Sequence, residues 1–415
     1  MIIINIYWKR TIFKFQRLKL LKNKYALINE VLQKAKSIRA WSPKYAHIEK
    51  IENEADLKAV PPLNKYELLS AYPELFEQIM QSNQKAIVMA TGGSTHEPIT
   101  AFAPNHLFIK EITSNWRPIT HADIFANLLS TGRLWIGYTF FNLLASAFAG
   151  ITLPVGGLSK DDLDVWIPFL VKNKATILGL NPSALRIILE YLLDKKITLP
   201  AVKKIIWGGE PFDMSLYELK QETLPAAELW GLYGSAEVFS IGNNTPSDSR
   251  DTFLIHDFQH IEVGEKGEIL STNFHPDYPS IALRFEVGDR GELDETGTRL
   301  RLLGRQDEEF KIGMIFFSGT DLINLLRSFP EVENAQLAIF QSPKTGREIL
   351  ELHILPKKNQ WPDPNNIKHE LATKSFLVNC RFDVEQLVKI YIVPEMWHNP
   401  RTNKVPIAAP AKGET

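Results

Sequence analysis

Cysteine is nearly absent from this 415-residue chain, Cys380 being the single thiol. No disulfide can therefore close within it, and a reducing compartment, the cytoplasm, is the expected setting. Basic excess is missing too. Lys and Arg total 47 against 48 Asp and Glu, so the chain has no surplus charge with which to neutralise a phosphate backbone, and no nucleic-acid partner is expected. Unbroken apolar runs are lacking as well. The uncharged stretch 134–158 is interrupted by Gly137, Asn142, Gly150, Pro154, Gly156 and Gly157, which fits a buried helix followed by a strand and argues against a transmembrane span. At the N-terminus the apolar run Met1 to Trp8 precedes seven Lys or Arg residues before the first acid, Glu30. A signal peptide has the reverse charge order. These residues read as an ordinary first helix with a solvated basic face, attachment to anionic lipid being the alternative. Finally, no Gly-x-x-x-x-Gly-Lys-Ser/Thr, no Gly-x-Gly-x-x-Gly and no Gly-x-Ser-x-Gly occurs, which removes the usual fingerprints of P-loop, dinucleotide-binding and serine-hydrolase sites.

What is present is an ordinary globular composition, 44% hydrophobic and 23% charged, in a chain too long for one core and expected to form two domains. Residues 12–80 mix apolar and charged positions at helical spacing, with a break at Val60-Pro61-Pro62-Leu63. Short apolar runs then alternate with helical segments, at 175–193 and 204–224 for example, which predicts a mostly parallel sheet. Residues 261–303 carry closely spaced turn signals and read as antiparallel sheet. A small α+β unit is expected from about residue 308. The fold class is thus α/β, a large N-terminal domain with mixed, mostly parallel sheets plus antiparallel sheet, followed by a small α+β C-terminal domain.

Four loops carry the chemistry. The run Ala86 to Ala90 ends in Thr91-Gly92-Gly93-Ser94-Thr95, where two glycines let backbone N–H groups approach a polyphosphate and hydroxyls add donors; a plain Gly-rich turn is the alternative. Gly208-Gly209-Glu210-Pro211 and Leu232-Tyr233-Gly234-Ser235-Ala236-Glu237 both follow strands, at the ends where open α/β sheets bind ligands. There Glu237 is a candidate Mg²⁺ ligand and Tyr233 a candidate purine contact, a capped loop with a solvated Glu being the alternative. Arg284-Phe285-Glu286-Val287-Gly288-Asp289 then offers an acid suited to ribose hydroxyls, and Gly304-Arg305-Gln306-Asp307 follows.

In this order the segments resemble the adenylate-forming ligase superfamily of acyl- and aryl-CoA synthetases. Within it the chain looks most like the short phenylacetate-CoA ligase branch, through Val60-Pro61-Pro62-Leu63-Asn64-Lys65-Tyr66-Glu67-Leu68 and Gly208-Gly209-Glu210-Pro211, and it is also similar to indoleacetate-lysine synthetase. The resemblance implies a division into an adenylation domain, 1–306, and a small mobile domain, 307–415. It implies ATP and Mg²⁺, with Thr91, Gly92, Gly93, Ser94 and Thr95 around the phosphates and Glu237 with Thr95 on the metal. Gly209, Glu210 and Tyr233 would form the adenine pocket, and Asp289 with Arg305 would hold the ribose. Asp307 would be the hinge, and Lys404 the lysine that reaches the α-phosphate during adenylation, with Lys412 next in line. The implied reaction activates a carboxylic acid as its acyl-adenylate and passes the acyl group to a thiol, of CoA or a carrier protein, or to an amine. A catalytically silent nucleotide- or acyl-binding relative is the remaining class.

Departures from the pattern are local. His96 stands where the family usually has Gly and Ile99 where it often has Lys; Lys311-Ile312-Gly313-Met314 displaces the glycine of Lys-Ile-x-Gly, which bears on CoA as acceptor. His256 and His260 lie four apart, but the segment reads as strand with no further ligand cluster, so no metal site is expected there. Cys380 reads as core, and Trp135, Tyr138, Phe140 and Phe141 either line an acyl pocket or pack the sheet.

Overall fold

The computed structural model describes residues 23–90, 100–132, 134–305, 309–312, 315–342, 348–374, 384–399 and 405–412. They fall into two compact units, 1–303 and 304–415.

The first unit opens with helices. Helix α1 (Lys24–Ser37) buries Ile28, Val31, Leu32 and Ala35, one stripe at helical spacing. Helix α2 (Lys65–Gln81) starts at a capping box in which Asn64 and Glu67 each satisfy the other's backbone amide. Between them the expected break at residues 60–63 acts as a strut. The carbonyls of Lys58 and Val60 accept from the Arg284 guanidinium, that of Pro61 accepts from the Tyr45 hydroxyl at 3.1 Å, and that of Pro62 accepts from Lys44 Nζ at 2.6 Å. Leu63 O accepts from the Glu286 amide at 2.8 Å. Prolines cannot donate to a ladder, so this segment is held through its acceptors.

Strands β1 (Ala86–Ala90) and β2 (Thr100–Pro104) form an antiparallel pair. The main sheet holds eleven strands: β3 (Ile124–Asn127), β4 (Ile151–Leu153), β5 (Ile177–Leu180), β6 (Lys204–Gly208), β7 (Glu228–Ser235), β8 (Phe239–Asn244), β9 (Thr252–Ile255), β10 (Gln259–Val263), β11 (Glu268–Asn273), β12 (Phe285–Leu293) and β13 (Arg299–Arg305). Their spatial order is β10-β11-β12-β13-β9-β8-β7-β6-β5-β3-β4. Strands β4, β3, β5, β6 and β7 run parallel. The pairs β7–β8, β8–β9, β9–β13, β11–β12 and β10–β11 are antiparallel. The expected parallel and antiparallel portions are thus one sheet, joined through β7.

Helices α3 (Ile136–Phe148), α4 (Leu163–Lys172), α5 (Pro182–Lys195) and α6 (Met214–Thr223) connect the parallel strands. Ile205 and Trp207 of β6 pack with α4, α5 and α6 in one core, whereas Ile206 packs with α3 and the N-terminal helices in the other. Burial on both faces explains why these strands read as continuous apolar runs. The stretch at 134–158 is helix α3 then strand β4. Among the described residues no helix is long and apolar enough to cross a membrane.

The second unit has β14 (Glu309–Ile312) paired with β15 (Ile315–Ser318), then helix α7 (Gly319–Arg327), and a three-stranded sheet of β16 (Val332–Gln341), β17 (Glu348–Pro356) and β18 (Val388–Ile392) beside helix α8 (Pro364–Lys374). Leu322, Leu326, Leu337, Leu350, Leu352 and Ile367 form its core.

Arg284 ties these observations to stability. Its guanidinium pairs with the buried Glu262 at 2.8 Å while serving the carbonyls of the strut. Arg284→Met leaves a buried carboxylate without its cation, a loss of about 3–5 kcal/mol. Urea unfolding of the full chain checks this through a lowered midpoint; an unchanged midpoint contradicts it.

Candidate functional site

Strands β5, β6 and β7 are neighbours, and the loops leaving their C-terminal ends converge where a parallel neighbour gives way to an antiparallel one. The carboxyl ends of parallel strands are where open α/β sheets bind ligands. The segments 208–211 and 232–237 both lie there, as the motif reading expected.

After β6 the chain turns at Gly209, whose φ of +82° lies in the left-handed region that favours glycine. Glu210 follows, and its carboxylate is engaged by helix α5. Asn181 Nδ2 donates to Oε1 at 3.0 Å, while the amide and hydroxyl of Ser183 donate to Oε2 at 2.8 and 2.7 Å. A carboxylate at a helix N-terminus is favoured both by the orphan amides and by the helix dipole. The N-terminus of α5 is therefore filled by a side chain of this protein.

Strand β7 ends with a bulge between Tyr233 and Gly234. A side chain at Gly234 would meet Phe239 O at 2.3 Å, so only glycine lets β7 and β8 close this tightly. The Tyr233 hydroxyl donates to Asp289 Oδ2 at 2.6 Å, joining two of the expected nucleotide-binding residues across 56 positions of sequence. The Tyr233 ring packs 5.4 Å from that of Phe253.

The turn 236–238 carries Glu237, and other side chains hold its backbone. Tyr278 donates to Glu237 O at 2.7 Å, Gln259 Nε2 donates to Val238 O and Ser240 O at 3.0 and 2.9 Å, and Asn273 Nδ2 donates to Val238 O at 3.2 Å. Burial pushes the Tyr278 hydroxyl up, which keeps it a donor. Glu237 is only 2% exposed, yet its Oε1 has no hydrogen-bond partner among the described residues, and neither has the buried Ser235 Oγ. An isolated buried carboxylate is costly. Unpartnered oxygens are the ligand type that a hard cation such as Mg²⁺ takes.

The other expected site residues divide as follows. Thr91, Gly92, Gly93, Ser94, Thr95, His96 and Ile99, Asp307, Met314, Cys380 and Lys404 lie outside the described residues, as does the side chain of Arg305. Lys412 is described: its amide donates to Glu351 Oε2 at 2.7 Å and its Nζ lies 5.0 Å from the Tyr391 ring. Phe140 and Phe141 pack in the core with Phe125 and Phe239, and the Tyr138 hydroxyl donates to Pro154 O. Motif reading missed Asn181, Ser183, Gln259 and Tyr278. Asn181-Pro182 is legible as a helix start, but nothing local announces that Glu210 would reach it.

His256 and His260 do not meet. His256 sits in the turn between β9 and β10, against the strand expectation, and shares a 2.8 Å hydrogen bond with Ser240 Oγ. His260 lies 2.8 Å from Lys24 Nζ and 3.3 Å from Glu54. Among the described residues no cluster of His, Cys, Asp or Glu suits a metal; Glu237 qualifies only as one ligand in a set completed by other oxygens.

The model of the AMP-binding enzyme family matches residues 18–256. A plipastatin synthase polypeptide of Bacillus subtilis (strain 168) is 23% identical over 329 residues, a match covering 68% of this chain and 12% of that one. Among solved structures, 2-hydroxyisobutyryl-CoA ligase in the postadenylation state with 2-HIB-AMP superposes with a TM-score of 0.64 at 17% identity, over 93% of this chain and 89% of that chain. ATP-bound MatB from Rhodopseudomonas palustris gives 0.56 at 16% identity, over 76% of this chain and 65% of that one. The amide bond synthetase McbA from Marinactinospora thermotolerans gives 0.55 at 16% identity, over 76% and 66%. The chain thus spans less than two thirds of MatB, and its match takes in 12% of the plipastatin synthase. At these identities the structural likeness establishes the fold.

The two histidines generate a pH prediction. Burial holds His256 down at about 3, and burial, with Lys24 second, holds His260 at about 4, against an ordinary value near 6.5. Between those values and about 6.5 the unfolded chain binds more protons than the folded one, so stability rises with pH across that window and falls as acid is added through it. The melting temperature should drop between pH 7 and pH 5, and by less in His256→Gln. Equal slopes in the two proteins would contradict the assignment.

Proposed function

The chain belongs to the AMP-binding enzyme family, and we propose that it is an ATP-dependent ligase that activates an aryl or acyl carboxylic acid as its acyl-adenylate, then transfers the acyl group to a thiol of CoA or a carrier protein. The observation that carries this reading is the buried Glu237, held by its backbone in the turn after β7, with no partner for Oε1 among the described residues. The Tyr233–Asp289 hydrogen bond beside it supports a nucleoside site.

A carboxylate is a poor electrophile because its leaving group would be oxide. In the first step a carboxylate oxygen of the acid attacks the α-phosphorus of ATP, the bond to the bridging oxygen of the β-phosphate breaks, and pyrophosphate leaves with its electron pair. In the second the acceptor sulfur attacks the acyl carbon, its proton is lost, and AMP departs. Charge accumulates on phosphate oxygens in the first step, so the protein's task is to fix cations and N–H donors around it. Mg²⁺ bound at Glu237 and Thr95 would supply charge neutralisation. Thr91, Gly92, Gly93, Ser94 and Thr95 would donate to the phosphates, and Lys404 would bring its ammonium to the α-phosphate. Gly209 and Tyr233 would flank the base. Asp289, oriented by the Tyr233 hydroxyl on its Oδ2, would accept from the ribose, with Arg305 as the second ribose contact. Rotation of the unit 307–415 about Asp307 would separate the two steps. An amine acceptor is the second reading, favoured by the displaced glycine in Lys311-Ile312-Gly313-Met314.

Acid-dependent exchange of label between pyrophosphate and ATP, run across a panel of carboxylic acids, tests this directly. Exchange is expected with at least one acid, falling about 10²–10³-fold in Lys404→Ala and strongly in Glu237→Gln at limiting Mg²⁺, with a metal-free melting temperature that is not lowered. Mass spectrometry of products with CoA and an amino-acid mixture then identifies the acceptor. Exchange with no acid would leave a nucleotide-binding relative and overturn the proposal.

A further inference from the structure

Glu210 was expected to be a residue of the adenine pocket, and its surroundings assign it a different task. Three donors from the start of α5 converge on its carboxylate: Asn181 Nδ2, the Ser183 amide and the Ser183 hydroxyl, at 3.0, 2.8 and 2.7 Å. Asn181 itself is committed, since its Oδ1 accepts from the Ala184 amide at 3.2 Å as the helix cap. Three residues on, the same loop is tied to the same helix again. Asp213 caps α6 through the Leu216 amide at 2.8 Å and receives Arg186 of α5 at 3.2 Å, while Arg186 also donates to Ser215 Oγ at 2.7 Å. Between the two ties Phe212 is buried against Trp207, ring centres 5.4 Å apart. On the loop's other side Gly208 lies so close to β7 that a side chain there would meet Leu232 O at 3.1 Å.

We propose that Glu210 is a positioning residue: its carboxylate latches the loop 209–213 onto the first turn of α5, and this fixes the backbone at Gly209 that would lie against the nucleotide base, without the carboxylate reading the base. This rests on the functional reading above, in which Gly209 and Tyr233 flank adenine. The physical grounds are two. A carboxylate offers about four acceptor positions, and three donors of one helix end engage Glu210. A carboxylate in this position also answers the partial positive charge of the helix, so turning it toward a ligand would take from the Ser183 amide the acceptor it has here. The glycine turn before it has no side chain of its own, and the latch adds to what holds its backbone.

The two roles differ in what they do to nucleobase choice. A carboxylate that read adenine would accept from its exocyclic amino group, which inosine replaces with an acceptor oxygen; a latch is indifferent to that exchange. Dissociation constants of MgATP and MgITP for the full chain, measured by titration calorimetry without turnover, separate them. Glu210→Ala should weaken both nucleotides by the same factor, roughly tenfold, as for loss of a charge-assisted hydrogen-bond cluster. Ser183→Ala should weaken both by less, and the double variant Glu210→Ala/Ser183→Ala should match Glu210→Ala alone because the two changes remove one network. Glu210→Gln, which retains an acceptor for Ser183, should recover most of the affinity. Loss of the ATP over ITP preference in Glu210→Gln, or strictly additive effects, would overturn the latch. So would a lowered melting temperature with unchanged dissociation constants. Failure of the wild type to bind MgATP would overturn the functional reading and the latch with it, whereas wild-type binding unaltered in Glu210→Ala would overturn the latch alone.

Discussion

Strand β7 has a parallel partner on one edge and an antiparallel partner on the other, and the rest of the first unit is arranged around that switch. A parallel connection must cross over through a helix, which carries the chain away from the strand's C-terminal end. A hairpin brings it straight back. At β7 the chain changes from the first behaviour to the second, so the loop after β6 spreads toward α5 while the turn after β7 folds inward. Two glycines make this fit: Gly231 leaves room for the Trp207 ring, and Gly234 lets β8 close over the bulge. The inward fold is what carries the Glu237 side chain out of water.

Other buried acids among the described residues have a cation or a donor on at least one oxygen, although Glu262 Oε1 is unpartnered there as Glu237 Oε1 is. Glu262 has Arg284, and in the second unit Glu351 accepts from the Lys412 amide and pairs with His353 at 3.0 Å. Glu210 has the start of α5. Glu237 has no partner for its Oε1 among the described residues, although the turn around it is fixed by Tyr278, Gln259 and Asn273. Burying an uncompensated carboxylate costs several kcal/mol, more than any single neutral hydrogen bond returns, about 1 kcal/mol. Under the proposed function a cation that arrives with the substrate would offset that cost.

Much of this site was legible in order and spacing. The segments 208–211 and 232–237 read as strand ends, and both are, because short apolar runs bounded by glycines report burial on both faces. The resemblance gave Tyr233 to the adenine pocket and Asp289 to the ribose, and a 2.6 Å hydrogen bond joins the two side chains. What stayed hidden is long-range. Nothing around Glu210 shows that residues 27 and 29 positions upstream hold its carboxylate. The strut at 60–63 read as a mere break because its bonds come from Arg284, Tyr45 and Lys44, far along the chain or side-chain in origin. The spacing of His256 and His260 has meaning only on a helix, and here the first lies in a turn and the second in a strand. Fusion of the parallel and antiparallel portions into one sheet is a matter of strand order, which local pattern does not encode.

The proposed function turns on Glu237 being a cation ligand in the turn after β7. Electron paramagnetic resonance of Mn²⁺, titrated into the full chain with ATP present, addresses this without requiring the acid or the acceptor to be known. A bound, immobilised Mn²⁺ is expected in the wild type, with an affinity that falls at least about tenfold in Glu237→Gln, an isosteric change that removes the charge. Equal Mn²⁺ affinity and identical spectra in the two proteins would contradict it.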